Sequence, residues 1–187
     1  MKETIFLVGF LALAGFGRAQ DIKDMVKGQL DTPMPSRIID PDEHIFGMAF
    51  GTKEAEIVKT FGKPDGYIRL SGTESCMIYG KAIALLFENG KLHGVRVTHS
   101  VVDWKLSQRM IANAVFDNLA WKLSNGIQAE TPLPEVRKIL DGRPSRDKHS
   151  RVYTTDKAIV SLDFSHYTNE GDADDAYKVC GITVEAK

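Results

Sequence analysis

The spacing of hydrophobic positions changes twice along the chain from a helical to an alternating pattern. Apolar residues recur at helical spacing after Thr52 and again after Thr131, and each threonine is predicted to be the N-cap of its helix. Gly62 and Gly142 are predicted to end these helices. Strand-like segments follow, at 67–70, 75–79, 82–87 and 92–99 after the first helix and at 150–154, 158–165 and 178–185 after the second. The pattern predicts an α+β fold, with a tight hairpin at Asn89-Gly90.

The two halves of the chain also match each other position by position. Four pairs keep a constant offset of 79 residues: Gly47 with Gly126, Thr52 with Thr131, Ile57 with Val136, and Phe61 with Leu140. Further along, HGVRV at 93–97 aligns with CGITV at 180–184. We interpret the matches as an internal duplication. The predicted organisation is a signal peptide (1–19), an N-terminal arm or linker (20–44), repeat 1 (45–100), a connecting helix (101–124) and repeat 2 (125–187).

The turn and core residues of these repeats resemble a known pair of families. In repeat 1 they are Gly47, Thr52, Gly62, Pro64, Tyr79, Phe87, Asn89, Gly90 and Leu92, and in repeat 2 they are Gly126, Thr131, Gly142, Pro144, Tyr153 and Phe164. This string is similar to the repeat of the β-lactamase inhibitor protein (BLIP-like) and SmpA/OmlA (BamE-like) families. The resemblance implies two tandem repeats, each with a helical segment packed on one face of an antiparallel β-sheet, in an exported bacterial protein. The tandem arrangement points to the inhibitor-like architecture, without identifying a β-lactamase as the target.

An apolar run at the start of the chain predicts export. Residues 5–16 form a run of about 12 apolar or small residues, which is the length of a signal-peptide core and too short to span a bilayer. Small residues at Gly17 and Ala19 suit cleavage near Ala19, so we expect a periplasmic or secreted protein with no transmembrane span after cleavage. A buried N-terminal helix or strand is the alternative.

Composition narrows the possible partners. The chain has 24 Lys and Arg against 25 Asp and Glu, a formal net charge of -1, which argues against nucleic-acid binding through bulk charge. Apolar residues make up 43% and charged residues 26%, as in a globular protein. We therefore expect another exported or envelope protein as the partner.

Two cysteines are the only thiols in the chain, Cys76 and Cys180. They could form one disulfide in an oxidising compartment, or remain two separate buried thiols. Their spacing matches no cysteine–histidine metal motif, and no cofactor is expected.

Strand alternation predicts which residues face a partner. We expect Ile83, Leu85, Phe87, Val95 and Val97, with Val160, Leu162, Phe164, Ile182 and Val184, to pack under the helices. Ile78 and Val152 are also expected in the core, which would leave Met77, Tyr79, Arg96, Arg151 and Tyr153 together on the opposite, open face. Tyrosine, arginine and methionine are enriched in protein-recognition surfaces, and an ordinary solvated sheet face is the alternative.

No catalytic motif supports an enzyme. The chain contains no HExxH, GxSxG or P-loop pattern. The expected function is protein binding rather than catalysis, and an inhibitor-like module is one form of it. Two alternatives remain: a small exported hydrolase whose site no motif reveals, and a structural component of the cell envelope.

Overall fold

The computed structural model describes residues 36–101, 114–117, 119–140, 150–166 and 176–187. All of them belong to the unit formed by residues 33–187. The predicted signal peptide, most of the predicted arm and most of the predicted connecting helix lie outside the described residues, as do Gly142 and Pro144.

The described helices are α1 (Glu54–Phe61), α2 (Ala114–Asp117) and α3 (Leu133–Ile139). Helix α1 has Glu54 and Glu56 in its first turn and Lys59 in its last, an order that suits the helix dipole. It buries Ile57 and Phe61, and Gly62 ends it with φ 82°. Helix α3 similarly buries Leu133 and Val136.

The predicted threonine caps are wrong, because both hydroxyl groups close the turn before the helix instead. The N-cap residues are Lys53 and Pro132, and neither makes a side-chain cap hydrogen bond. The Thr52 hydroxyl donates to the Ala49 carbonyl at 2.7 Å, and the Thr131 hydroxyl accepts from the Gln128 N–H at 3.0 Å.

Eleven described strands form two sheets. The small sheet has the order β3-β2-β1-β8, from Met48–Ala49, His44–Ile45, Ile38–Asp40 and Lys122–Leu123. The large sheet is antiparallel throughout, with the order β4-β5-β6-β7-β11-β10-β9. Its strands are β4 (Gly66–Arg69), β5 (Glu74–Tyr79), β6 (Ile83–Glu88), β7 (Lys91–Val97), β9 (Ser150–Thr154), β10 (Ala158–His166) and β11 (Tyr177–Ala186).

These positions confirm the predicted strands and the hairpin between β6 and β7. Asn89 and Gly90 have φ values of 51° and 72°, as a two-residue hairpin turn with matching twist requires. The sequence pattern was reliable here because turn chemistry acts over only a few neighbouring residues.

One face of the large sheet carries the core. All ten residues predicted to pack under the helices are buried there, in the same cluster as Ile57 and Phe61 of α1 and Leu133 and Val136 of α3. Trp121 is 5% exposed and belongs to this cluster. The protein is therefore an α+β fold whose helices share one core with the sheet.

The two halves make the same backbone contacts before their helices. The Gly51 N–H donates to the Leu92 carbonyl and the Leu92 N–H to the Thr52 carbonyl. In the second half, the Glu130 N–H donates to the Val179 carbonyl and the Val179 N–H to the Thr131 carbonyl. Each half contains a three-stranded antiparallel meander after its helix, β5-β6-β7 or β9-β10-β11, and in the first half β4 precedes the meander and pairs with β5.

Strands β7 and β11 join the halves symmetrically. Arg96 lies opposite Thr183, with Val95 opposite Val184 on one side and Val97 opposite Ile182 on the other. Exchanging the aligned segments 93–97 and 180–184 maps this pairing onto itself.

Candidate functional site

Four of the five predicted site residues lie on the wrong face for an open surface. Met77 and Tyr79 pair with Leu85 and Ile83, and Arg151 and Tyr153 pair with Leu162 and Val160. Directly opposite residues share a face, so these four side chains point toward the core. Met77, Tyr79 and Arg151 are 4%, 1% and 4% exposed, and Tyr153 is half-buried. The predicted recognition face of Met77, Tyr79, Arg151 and Tyr153 therefore does not exist.

The error was one of strand phase. A shift of one residue moves every side chain of a strand to the other face. Residues 75–79 are all buried, so alternation within β5 contains no signal for its phase. In β9 the apolar residue expected in the core, Val152, is 57% exposed, whereas Arg151 is buried.

Tyr79 is part of an aromatic cluster beneath α1. Its ring centroid lies 5.9 Å from that of Phe61 and 4.9 Å from that of Phe116. Its hydroxyl donates to the Gly62 carbonyl at 3.0 Å, and burial raises its pKa. The residue therefore anchors the end of α1 to the sheet.

Tyr153 lies beside contacts that attach the turn 41–43 to the large sheet. The Asn125 amide donates to the Tyr153 hydroxyl at 3.4 Å, and burial raises the pKa of Tyr153 to about 12. The Asp42 carboxylate accepts from the Lys157 N–H at 2.9 Å. The Thr155 hydroxyl and this N–H lower the pKa of Asp42 by stabilising its charge.

Arg96 alone of the predicted set lies on the outer face, the face of the large sheet opposite the core. One row of paired residues crosses this face from β7 through β11 and β10 to β9. It consists of Arg96, Thr183, Ser161 and Val152, in that order. Arg96 is exposed, and Thr183 and Ser161 are half-buried. Ile159 lies in the next row and is 43% exposed. We call these five residues the outer patch: Arg96, Val152, Ile159, Ser161 and Thr183.

Sequence reasoning missed Val152 and Ile159 as surface residues. For Ile159 a signal existed, because placing Val160, Leu162 and Phe164 in the core puts Ile159 on the other face by alternation. For Val152 no signal existed, since only the register with β10 sets the phase of β9.

Cys76 and Cys180 do not form a disulfide. Both are free, and they lie on β5 and β11 with β6 and β7 between them. Three strand spacings amount to about 14 Å, twice what a disulfide can bridge between Cα atoms. Burial raises the pKa of both thiols, and the nearby Asp163 carboxylate also raises that of Cys180.

A metal-binding cluster is absent from the part of the chain that the structure describes. No three of the described His, Cys, Asp or Glu side chains could hold a metal ion together. A surface depression of about 340 Å³ lies beside the start of α3, and its charged lining residues Lys122, Glu130 and Glu135 are all exposed. Exposed charges on an open surface are not the buried, convergent groups of a ligand pocket.

Comparison with known proteins does not identify a family. No family model matches the chain, and no curated protein sequence matches it. Among solved structures, the chain is similar to an extracellular protein containing an SCP domain from Bacillus anthracis str. Ames, with a TM-score of 0.40 and 8% identity. The match covers 77% of this chain and 46% of that one, so this chain spans less than half of that protein. The resemblance to the inhibitor-like families stays a prediction. None of the described helices is long and apolar enough to cross a membrane.

Proposed function

We propose that the protein is an exported binding module, built from two copies of one helix–sheet unit, that recognises a partner protein through the outer patch. The apolar run at residues 5–16 supports export. The near-neutral charge favours a protein over a nucleic acid as the partner.

The two-copy organisation is supported by matches in both sequence and backbone. Gly51 and Glu130, at the same offset of 79 residues as the sequence matches, both have positive φ, 84° and 67°. The same paired hydrogen bonds follow in both halves, to Leu92 and to Val179. A glutamate adopts this left-handed conformation only when its surroundings require it, so a shared origin explains the match better than coincidence.

The exposure of Val152 and Ile159 carries the functional proposal. These β-branched side chains are 57% and 43% exposed, one row apart on neighbouring strands of the outer face. Arg96, Ser161 and Thr183 add polar groups beside them. Clustered apolar residues with polar neighbours are typical of a protein-recognition surface, where burial by the partner removes them from water.

Site-specific photo-crosslinking in the native host tests the proposal. A photoreactive residue at position 159 should give one defined adduct, identified by mass spectrometry. Val58 on α1 is 36% exposed and provides the control position, which should not give that adduct.

An additional charge reversal makes the test specific. Arg96→Glu should abolish the adduct from position 159, because Arg96 belongs to the same patch but not to the crosslinking site. Identical adducts from positions 58 and 159, or no adduct from position 159, would contradict the proposed function.

A further inference from the structure

Among the described strands, the two halves differ in what pairs with their first meander strand. Strand β4 pairs with β5 along the outer edge of the first half. In the second half β9 is the last strand of the sheet, and no described strand pairs with its open side. The paired registers make Met77, Ile78 and Tyr79 equivalent to Arg151, Val152 and Tyr153.

Equivalent side chains beside this edge also differ in exposure. Ile78 is 3% exposed, whereas Val152 at the same position of β9 is 57% exposed. Gly66 of β4 lies directly opposite Ile78, and a Cβ at Gly66 would be 3.4 Å from the Ile78 side chain. The isoleucine thus packs over the added strand, and the valine has no such neighbour among the described strands.

The backbone of β9 is also aligned to accept a strand. The Thr155 N–H donates to the Ala158 carbonyl, so Thr155, Tyr153 and Arg151 direct their backbone groups toward β10. The N–H and C=O groups of Val152 and Thr154 therefore point to the open edge. Both of these side chains are exposed.

We propose that the partner contributes an extended segment that adds to β9 as an eighth, antiparallel strand, in the position that β4 occupies beside β5. This inference rests on the proposed function, because it assigns the binding mode of the same partner. Backbone hydrogen bonds supply the affinity in this mode, and alternate side chains supply the specificity.

Strand β4 indicates the chemistry of the added segment. Opposite Val152 it would have a small residue, as Gly66 is opposite Ile78. Opposite Arg151 it would have an aromatic residue, as Tyr67 is opposite Met77, followed by an aliphatic residue in the position of Ile68. A second copy of this chain fits less well, because two β9 strands paired about Val152 would place valine, not a small residue, against Val152.

A peptide with the sequence of residues 64–71, PDGYIRLS, is the probe for the full-length protein. Fluorescence anisotropy should detect binding of this peptide and none of a scrambled version. Hydrogen exchange on the unaltered protein should show new protection of the Val152 and Thr154 amides when the peptide is added. Absence of binding, or protection on β4 or β5 instead, would overturn the proposal.

Val152→Pro removes an outward N–H without removing a β9–β10 hydrogen bond. We expect peptide affinity to fall about tenfold or more. Arg69→Pro is the matched control, because Arg69 also directs its N–H outward, on β4 at the other edge of the sheet, and should leave affinity unchanged. If Val152→Pro unfolds, the exchange experiment on the unaltered protein still decides.

Two further outcomes separate this proposal from others. If sedimentation shows a dimer that Val152→Pro abolishes, the strand that pairs with β9 comes from a second copy of this chain. That result would overturn the proposal. Unchanged crosslinking from position 159 in a folded Val152→Pro protein would keep the proposed function but refute strand addition. Loss of crosslinking from position 159 in the Arg96→Glu protein, with peptide binding intact, would support both the proposed function and strand addition.

Discussion

At the residue scale, two hydroxyl groups at the junction between α1 and the large sheet each have a hydrogen-bond partner. The Tyr79 hydroxyl reaches the Gly62 carbonyl, and the buried Ser75 hydroxyl donates to the Glu54 carboxylate at 2.7 Å. A buried hydroxyl that loses its partner destabilises the fold by its full desolvation cost. These residues therefore stabilise the junction between α1 and the sheet rather than a ligand.

Replacing Tyr79 tests this structural role. We expect Tyr79→Phe to lower the free energy of unfolding by about 1 kcal/mol, because the Gly62 carbonyl loses its donor, and Tyr79→Ala to lower it by about 3–5 kcal/mol. Urea unfolding measures both. Tyr67→Phe is the control, since Tyr67 is 49% exposed and its 3.3 Å bond to Glu54 lies at the surface. A folded, fully stable Tyr79→Ala protein would contradict this role.

The stability of the protein at alkaline pH should also depend on Tyr79. Its pKa is raised in the folded protein, so the unfolded chain loses the proton first, near pH 10. Stability is therefore complete below that pH and falls above it, by at most about 1.4 kcal/mol per pH unit for one group. Between pH 9 and 11, the free energy of unfolding measured in urea should fall less steeply with pH for Tyr79→Phe than for the unaltered protein. Equal slopes in the two proteins would exclude Tyr79 as the source of the pH dependence.

The thiols provide a second residue-scale prediction. A thiol assay on the denatured protein should find two free thiols per chain, and reducing agents should leave the melting temperature unchanged. In the native state Cys180 should react faster than Cys76, because Cys180 is half-buried and Cys76 is 6% exposed. Fewer than two free thiols after denaturation would refute the prediction that Cys76 and Cys180 are not joined by a disulfide.

At the element scale, the β7–β11 pairing depends on two glycines. Gly94 and Gly181 occupy the same position in the aligned segments 93–97 and 180–184. A Cβ at Gly94 would overlap the Val184 carbonyl oxygen, and one at Gly181 would lie 3.1 Å from the Val97 carbonyl oxygen. Val184 and Val97 are themselves equivalent, so both halves use glycine to admit a backbone carbonyl of the other half.

Gly94→Ala should therefore weaken the junction between the halves. We expect a loss of about 1–3 kcal/mol, as for other overpacked sites, and a smaller loss for Gly181→Ala. Gly72→Ala serves as the comparison, because nothing lies within 4 Å of a Cβ at that position. Equal stabilities of the Gly94→Ala and Gly72→Ala proteins, measured by thermal unfolding, would show that the backbone adjusts without cost.

At the scale of the whole molecule, the halves share a single core. The buried cluster includes Ile57 and Leu85 from the first half, and Val136, Leu162 and Val184 from the second. Separating the halves would expose the edges of β7 and β11 together with this apolar surface. Neither half is therefore an independent folding unit.

Unfolding should accordingly be a single transition. Tryptophan fluorescence and far-UV circular dichroism should give coincident urea curves for the full chain. Val97→Ala, which creates a cavity at the junction, should shift both curves equally. Two separated transitions would indicate that the halves fold independently.

The sequence by itself determined helices α1 and α3 and the strands of the large sheet, but not the small sheet. Strand β1 lies in the segment predicted as an arm, and β8 in the segment predicted as a connecting helix, so those two predictions are wrong at these residues. Helix periodicity predicted α1 and α3, and Asn89-Gly90 predicted the β6–β7 hairpin, because these signals act between residues close in the chain. The strongly alternating strands β6, β10 and β11 also revealed their core faces. The core-facing positions of these three strands that were predicted from alternation are all buried.

Only the tertiary structure decided the phases of β5 and β9, and with them the location of the surface available to a partner. Every residue from 75 to 79 is buried, so β5 has no polar face to mark the outside. In β9 the lateral pairing of Arg151 with Leu162 turns the arginine inward and leaves Val152 on the outer face. The strand order likewise separated Cys76 from Cys180. The physical reason is that side-chain direction in a strand is set by hydrogen bonds to its neighbours, which lie far away in sequence.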